Sequence, residues 1–170
     1  YYILWGSFFG IYIMELEIAD DLTITPKFDT KRQIAGNAYE GINLWKRDGY
    51  YYLFGSIGSC CEGEKSTYTT VVGRSRDLWG PYVNKAGERM LDNAHEVVVH
   101  KDDRFVGTGH NALLQLDDAG QTWMLYHAFE LSNLGAQRQV LLDRVLWDDA
   151  GWPVINGQQP SHEAEAPEIR

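Results

Sequence analysis

The chain has almost no cysteine: of 170 residues two are Cys, and they are neighbours, Cys60 and Cys61. Adjacent cysteines fit no zinc spacing, and neighbours in sequence sit too close for an ordinary disulfide. The cysteine count therefore does not set the compartment. Positive charge is also scarce, since 15 Lys and Arg face 24 Asp and Glu, for a net charge of -9. Nucleic-acid binders draw most of their affinity from basic patches, so no nucleic-acid partner is expected. Long apolar runs are missing too. The most apolar stretch, Tyr1 to Met14, is broken at Gly6 and Gly10 and is too short to cross a bilayer, so no membrane partner is expected. No stretch holds a helical period over ten residues, and no basic segment with a cleavage site marks a signal peptide.

What remains is β-forming. Aromatic residues make up 13% of the chain and there are 17 glycines, a composition of strands joined by tight turns. Strands are expected at Tyr1 to Ser7, Ile11 to Ile18, Ile42 to Trp45, Tyr50 to Phe54, Thr67 to Ser75, Glu96 to His100, Phe105 to Gly107, Ala112 to Leu116, Thr122 to Phe129 and Gln139 to Trp147. Asp20 to Phe28 reads as a turn-rich connection. The segment 161–170 is expected to be a frayed polar tail.

A weak repeat runs through this pattern. Tyr1-Tyr2-Ile3-Leu4-Trp5-Gly6-Ser7 is echoed by Tyr51-Tyr52-Leu53-Phe54-Gly55-Ser56, and an Asp-Gly type turn before aromatic residues occurs at Asp48-Gly49, Asp118-Ala119-Gly120 and Asp149-Ala150-Gly151. Repeated units of short antiparallel strands suit a β-propeller. At ~50 residues per blade the chain holds roughly three blades. Either the fold is another all-β architecture, such as a sandwich, or the chain is part of a ring. The second is favoured, because Tyr1 already lies within a strand pattern.

The run Asn37 to Tyr68 organises the chain. Glu40 sits just before one strand of a hairpin, and the small-residue loop Gly55 to Gly63 follows the other. A hairpin brings those two places to one end. A carboxylate and a polar loop over an aromatic floor suit a sugar site, against the alternative of a solvated loop charge.

Here the residues become specific. Tyr39-Glu40-Gly41, Gly49 to Phe54, Ser59-Cys60-Cys61-Glu62-Gly63, Ser66-Thr67-Tyr68, Gly73-Arg74-Ser75 and Trp79-Gly80-Pro81-Tyr82 resemble glycoside hydrolase family 43, above all its arabinan-degrading members. Trp5-Gly6-Ser7-Phe8, Gly107-Thr108-Gly109-His110, Tyr126-His127-Ala128 and Gly151-Trp152-Pro153 match the same family. The resemblance runs to about Pro160, so residues 1–160 are expected to be part of a propeller catalytic domain.

The resemblance implies an all-β, five-bladed β-propeller, of which this chain holds the last three or so blades. It also implies hydrolysis of plant cell-wall polysaccharide, most of all α-1,5-L-arabinan, by inversion. Inversion needs two carboxyl groups about 6.5–9.5 Å apart with water between base and sugar. The acid of the Glu-Gly motif falls on Glu40. A general acid must carry its proton at the working pH, which burial or a nearby negative charge favours. Ser7 matches a sugar-contacting position, Cys60 and Cys61 match paired cysteines at the substrate loop, and His110 matches a channel histidine beside a cation, expected to be calcium held largely through water. His127 is expected to be structural, and Arg74 to be a donor to a neighbouring loop. The polymer is the expected partner, and the location is expected to be extracellular or periplasmic.

Two departures stand out. The family's base Asp and its tuning Asp fall before Tyr1, and Asp20, Asp21 and Asp29 sit in no matching motif. Ile42 replaces the proline that often follows Glu-Gly. A non-catalytic glycan-binding propeller and a xylan-directed member of the family are the competing readings.

Overall fold

The computed structural model describes all 170 residues. There is no α-helix; short 3-10 turns link thirteen strands. The strands form three antiparallel sheets. The first holds β1 (Tyr2–Trp5), β2 (Ile11–Ile18), β3 (Ile24–Pro26) and β4 (Arg32–Ala35), with β1 on one edge of β2 and both β3 and β4 paired to β2. The second runs β5 (Glu40–Arg47), β6 (Tyr50–Ile57), β7 (Thr69–Ser75) and β8 (Glu96–Val99), each paired with the next. The third contains β9 (Phe105–Gly109), β10 (Gln115–Leu116), β11 (Thr122–Glu130), β12 (Arg138–Trp147) and β13 (Pro153–Val154), arranged around β11 and β12. One parallel bridge, Thr69 to Thr108, joins the second sheet to the third.

The second sheet is the middle layer. Along β6, Leu53 packs toward the first sheet with Ile11, Ile13 and Ile34. Tyr52 and Phe54 pack toward the third with Met124, Tyr126 and Trp152. Successive side chains of a strand point to opposite faces, so a strand covered on both faces reads as an unbroken apolar run. That is why Tyr50 to Phe54 carries no alternation. Val71 and Val72 on β7 divide in the same way. Each fully buried side chain of this size contributes about 1.5–3 kcal/mol. Gly73 interrupts β7 because a Cβ there would come within 2.4 Å of Met90 Sδ.

The hairpin between β5 and β6 turns at Asp48 (φ 48°) and Gly49 (φ 76°), the pair of positive φ angles that matches the twist of two-residue hairpins. Arg74 donates to the carbonyls of Ala150 (2.7 Å) and Gly151 (3.4 Å), the expected bond to a neighbouring loop.

Three expectations need correction. Arg32–Ala35, Ile24–Pro26 and Pro153–Val154 are strands that composition did not reveal; each is short and is held by its partner. The tail is not frayed. The Asp118 amide donates to the Glu168 carbonyl at 3.0 Å, and the Glu168 amide to Asp117 Oδ2 at 3.2 Å, so the end of the chain lies along the turn before β11. Cys60 and Cys61 are joined by a disulfide, with Cα atoms 3.8 Å apart. That is the spacing across one trans peptide. The usual Cα window applies to cysteines brought together from separate segments, whereas neighbours close a small ring within the loop itself. Neither is a buried thiol: Cys60 is half-buried and Cys61 exposed.

Candidate active site

Glu40 opens β5, and its register partner on β6 is Ser56. Pairing is irregular between Glu40 and Asn43, and a bulge of this kind re-aims the side chain beside it. Gly41 lies there with φ +57°, where a Cβ would come 3.1 Å from the His110 ring. The Glu-Gly pair thus has two physical reasons: the backbone needs a positive φ, and an imidazole occupies the space above it.

Both carboxylate oxygens of Glu40 are engaged. Ser7 Oγ donates to Oε2 at 3.0 Å on the exposed side. The Tyr68 hydroxyl donates to Oε1 at 2.5 Å on the buried side. Ser7 is delivered by the turn between β1 and β2, where the Phe8 amide donates to the Tyr39 carbonyl at 2.9 Å. Tyr68 immediately precedes β7 and is fully buried. Its ring lies against Gly109, where a Cβ would fall 2.3 Å from Tyr68 Cδ1. Burial above all, then the hydrogen bond to Glu40, raises the Tyr68 phenol well above its ordinary range, so it stays a donor.

Two histidines complete the cluster. His110, with φ +51°, is placed by its amide bond to Ser56 Oγ at 2.8 Å, and its Nδ1 lies 3.4 Å from the Tyr68 hydroxyl. A non-glycine residue in the left-handed region is uncommon and often marks a functional site. His127 on β11 stacks on the Tyr68 ring at 5.6 Å and on His110 at 6.3 Å. Arg138 Nη1 lies 3.3 Å from its Nε2, and its buried Nδ1 has no partner. Burial first, then Arg138 and His110, lowers the His127 pKa to about 4. The imidazole is therefore neutral at neutral pH.

The structure brings Ser7, Glu40 and His110 together. Cys60 and Cys61 leave from the same end of β6 but share no hydrogen bond with this cluster; their loop is held by Ser59, Glu62, Ser66 and Thr67. Sequence reasoning missed Tyr68 and Ser56 and left His127 as a strand-end residue. The Tyr68 position was visible within Ser66-Thr67-Tyr68, but nothing local says that its hydroxyl turns toward a carboxylate.

His110 belongs to no convergence of three metal-ligand side chains. Such a convergence lies at Asp102, Asp103 and His162, with ligand atoms within 4.8 Å of one another. Of the acidic candidates, Asp20 and Asp21 are remote from Glu40. Asp20 and Asp21 follow the far end of β2, an 8-residue strand whose near end adjoins the Ser7 turn; at ~3.3 Å per residue that end is roughly 23 Å away.

The sequence model of the glycosyl hydrolases family 43 matches residues 1–153. The chain belongs to glycosyl hydrolase family 43. Among the relatives of this family 43 chain is the extracellular exo-α-(1→5)-L-arabinofuranosidase of Cellvibrio japonicus, 36% identical over 126 residues, covering 74% of this chain and 35% of the relative. Another is the extracellular endo-α-(1→5)-L-arabinanase 1 of Bacillus subtilis, 31% identical over 157 residues, covering 89% of this chain and 46% of the relative. The α-L-arabinanase of Cellvibrio cellulosa, solved with arabinohexaose, superposes with a TM-score of 0.80 at 30% identity, over 91% of this chain and 52% of that one. The family 43 chain thus spans about half the length, or less, of the relatives it matches.

Proposed function

We propose that this chain supplies the general-acid half of an inverting α-1,5-L-arabinan hydrolase. The observation that carries the reading is the Glu40 carboxylate, held between Ser7 and Tyr68 at the end of the middle sheet. Oε1 is on the buried side. Oε2 faces the exposed Ser7 hydroxyl, and it is the oxygen from which a proton reaches the leaving group. Tyr68, wedged against Gly109, fixes the carboxyl orientation. Inversion also needs a base across the sugar, about 6.5–9.5 Å from the acid. In this reading the base and the tuning carboxylate come from residues outside these 170, since Asp20, Asp21 and Asp29 sit in no matching motif.

The relatives named as arabinanases and arabinofuranosidases support the substrate class. In the same reading the three sheets are the last three blades of a five-bladed propeller, with residues 1–160 as its catalytic part. The enzyme meets its polymer outside the cytoplasm, in line with the extracellular relatives; no helix here is long and apolar enough to cross a membrane. Cys60 and Cys61 line the sugar pocket as a disulfide-closed loop. His110 offers a single imidazole, and the nearby carboxylate is already taken up by Ser7 and Tyr68. These donors fit a calcium ion only if it is held largely through water.

The test is Glu40→Gln in the full-length protein. Hydrolysis of linear arabinan should fall roughly 10²–10⁴-fold, the usual contribution of general acid catalysis. An aryl arabinoside with an activated leaving group should be affected far less. Equal losses on both substrates would remove Glu40 from the acid role.

A further inference from the structure

A second cleft lies at the opposite end of the same strands. β6 runs from Tyr50 to Ile57, and its Ser56 end adjoins Glu40. At ~3.3 Å per residue, Tyr50 is roughly 20 Å from the candidate active site. There, Tyr50 and Trp152 face the segment 81–87 across a cleft of about 400 Å³. This falls in the size range of small-ligand sites, about 300–1,000 Å³.

The charge of the cleft is unlike that of the molecule. The chain carries -9 overall, yet the cleft is lined by Arg74, Arg76 and Lys85 and by no carboxylate. Lys85 is partly neutralised by Asp148 at 2.8 Å. The two arginines are not neutralised. Arg74 is spent on the carbonyls of Ala150 and Gly151, which keep its charge. Arg76 is exposed and enters no ion pair or hydrogen bond.

Both guanidinium groups sit on the Tyr50 ring, Arg74 at 4.3 Å and Arg76 at 4.2 Å from its centroid. Their guanidinium carbons are therefore no further apart than the sum of those distances. Trp152 holds Arg74 from another side at 4.3 Å. Two like charges on one ring repel one another, and an anion lying between them lowers that repulsion. Planar guanidinium forks match a carboxylate in two-point hydrogen bonding. Asn84 on the cleft wall is already held by Glu88 and Ala86, which leaves the guanidinium groups as the polar groups that meet a ligand.

We propose that this cleft binds a carboxylated sugar, a uronate unit of an acidic glycan, and anchors the protein on its polymer away from the bond being cut. The choice of a glycan rests on the proposed function above; the choice of a carboxylate rests on the arginines alone.

The test uses the full-length protein carrying Glu40→Gln, with hexameric oligogalacturonate as the probe in titration calorimetry. Binding should be saturable, weaken with added salt, and be lost when the probe is methyl-esterified. Adding Arg76→Ala should weaken it roughly tenfold, the loss of one charge-assisted contact. Arg76→Lys keeps the charge without the fork and should recover only part of the loss. Circular dichroism checks that both variants are folded; Arg76 is exposed, so they should be. Equal binding of the free acid and its ester, or of Arg76→Ala and its parent, would overturn the proposal. So would equal affinity for dextran sulfate, which would make the cleft a generic polyanion patch. Hydrolysis of neutral arabinan by the unmutated protein is measured separately. Its failure would count against the proposed function while leaving the binding result readable.

Discussion

Each residue of the Glu40 cluster is explained by a different force. Glu40 is aimed by a bulge, Tyr68 by a space kept open at Gly109, and His127 by stacking on Tyr68. His127 also makes a measurable claim about pH. Its ordinary pKa of 6.5 falls to about 4 in the fold. Between those values the unfolded chain binds more protons than the folded one, so stability rises with pH across that window. Acidification from pH 7 toward 4 should therefore destabilise the protein. His127→Phe keeps a ring against Tyr68 but does not titrate. The urea midpoint of this variant should drop less between pH 7 and 4.5 than that of the unmodified protein. An equal drop in both would mean that His127 is not buried in its neutral form. Resemblance marked Glu40, Ser7 and His110, while Tyr68 lay unremarked inside a matched motif. A tyrosine before a strand reads as packing until the strand beside it is known.

At the scale of elements, the strands that were legible are those with strong local signals. β2 was expected over Ile11 to Ile18 and spans those residues. The hairpin between β5 and β6 was marked by its Asp48-Gly49 turn, though both strands extend beyond the expected limits. Ala112 to Leu116 reads as a strand, but the strand holds only Gln115 and Leu116; before it, the Ala112 amide bonds to the Leu125 carbonyl at 2.8 Å. The glycines separate two kinds of constraint. Gly109 needs space, since a Cβ would meet Tyr68 at 2.3 Å; Gly120 needs only its φ of +75°, with nothing within 4 Å. Gly120→Ala should cost about 1 kcal/mol for a side chain at positive φ. Gly109→Ala should cost more, about 1–3 kcal/mol of overpacking, and should also lower activity by displacing Tyr68 from Glu40. Denaturant titration of both variants, with arabinan assays in the full-length protein, checks the pair. Similar losses of stability would mean that Tyr68 yields freely.

At the scale of the whole molecule, three stacked sheets leave two outer faces. On the third sheet, Val140, Leu142 and Leu146 of β12 point outward and are exposed, Val140 at 72%. On the first, Tyr2 and Ile3 of β1 are exposed as well. Apolar faces and unpaired strand edges of this kind drive association. These 170 residues expressed alone should therefore self-associate, as light scattering would register, and should release no reducing ends from linear arabinan. The second expectation rests on the proposal that the base lies outside these residues. Sugar release at a rate near that of the full-length protein would return Asp20, Asp21 or Asp29 to consideration.

The β class, the β5–β6 hairpin and the family could be read along the chain, because they rest on strand composition, turn chemistry and ordered motifs. Only the tertiary structure decided that Tyr68 grips Glu40 across 28 residues of sequence, that the Tyr68 hydroxyl also lies beside His110 across 42, and that His127 stacks on both. It also decided the pairing of Cys60 with Cys61 and the docking of the chain end. Periodicity tells which face of a strand is buried. It does not tell which strand of the next sheet lies against that face, and the contacts that Ser7, His110 and His127 bring to the site depend on this stacking.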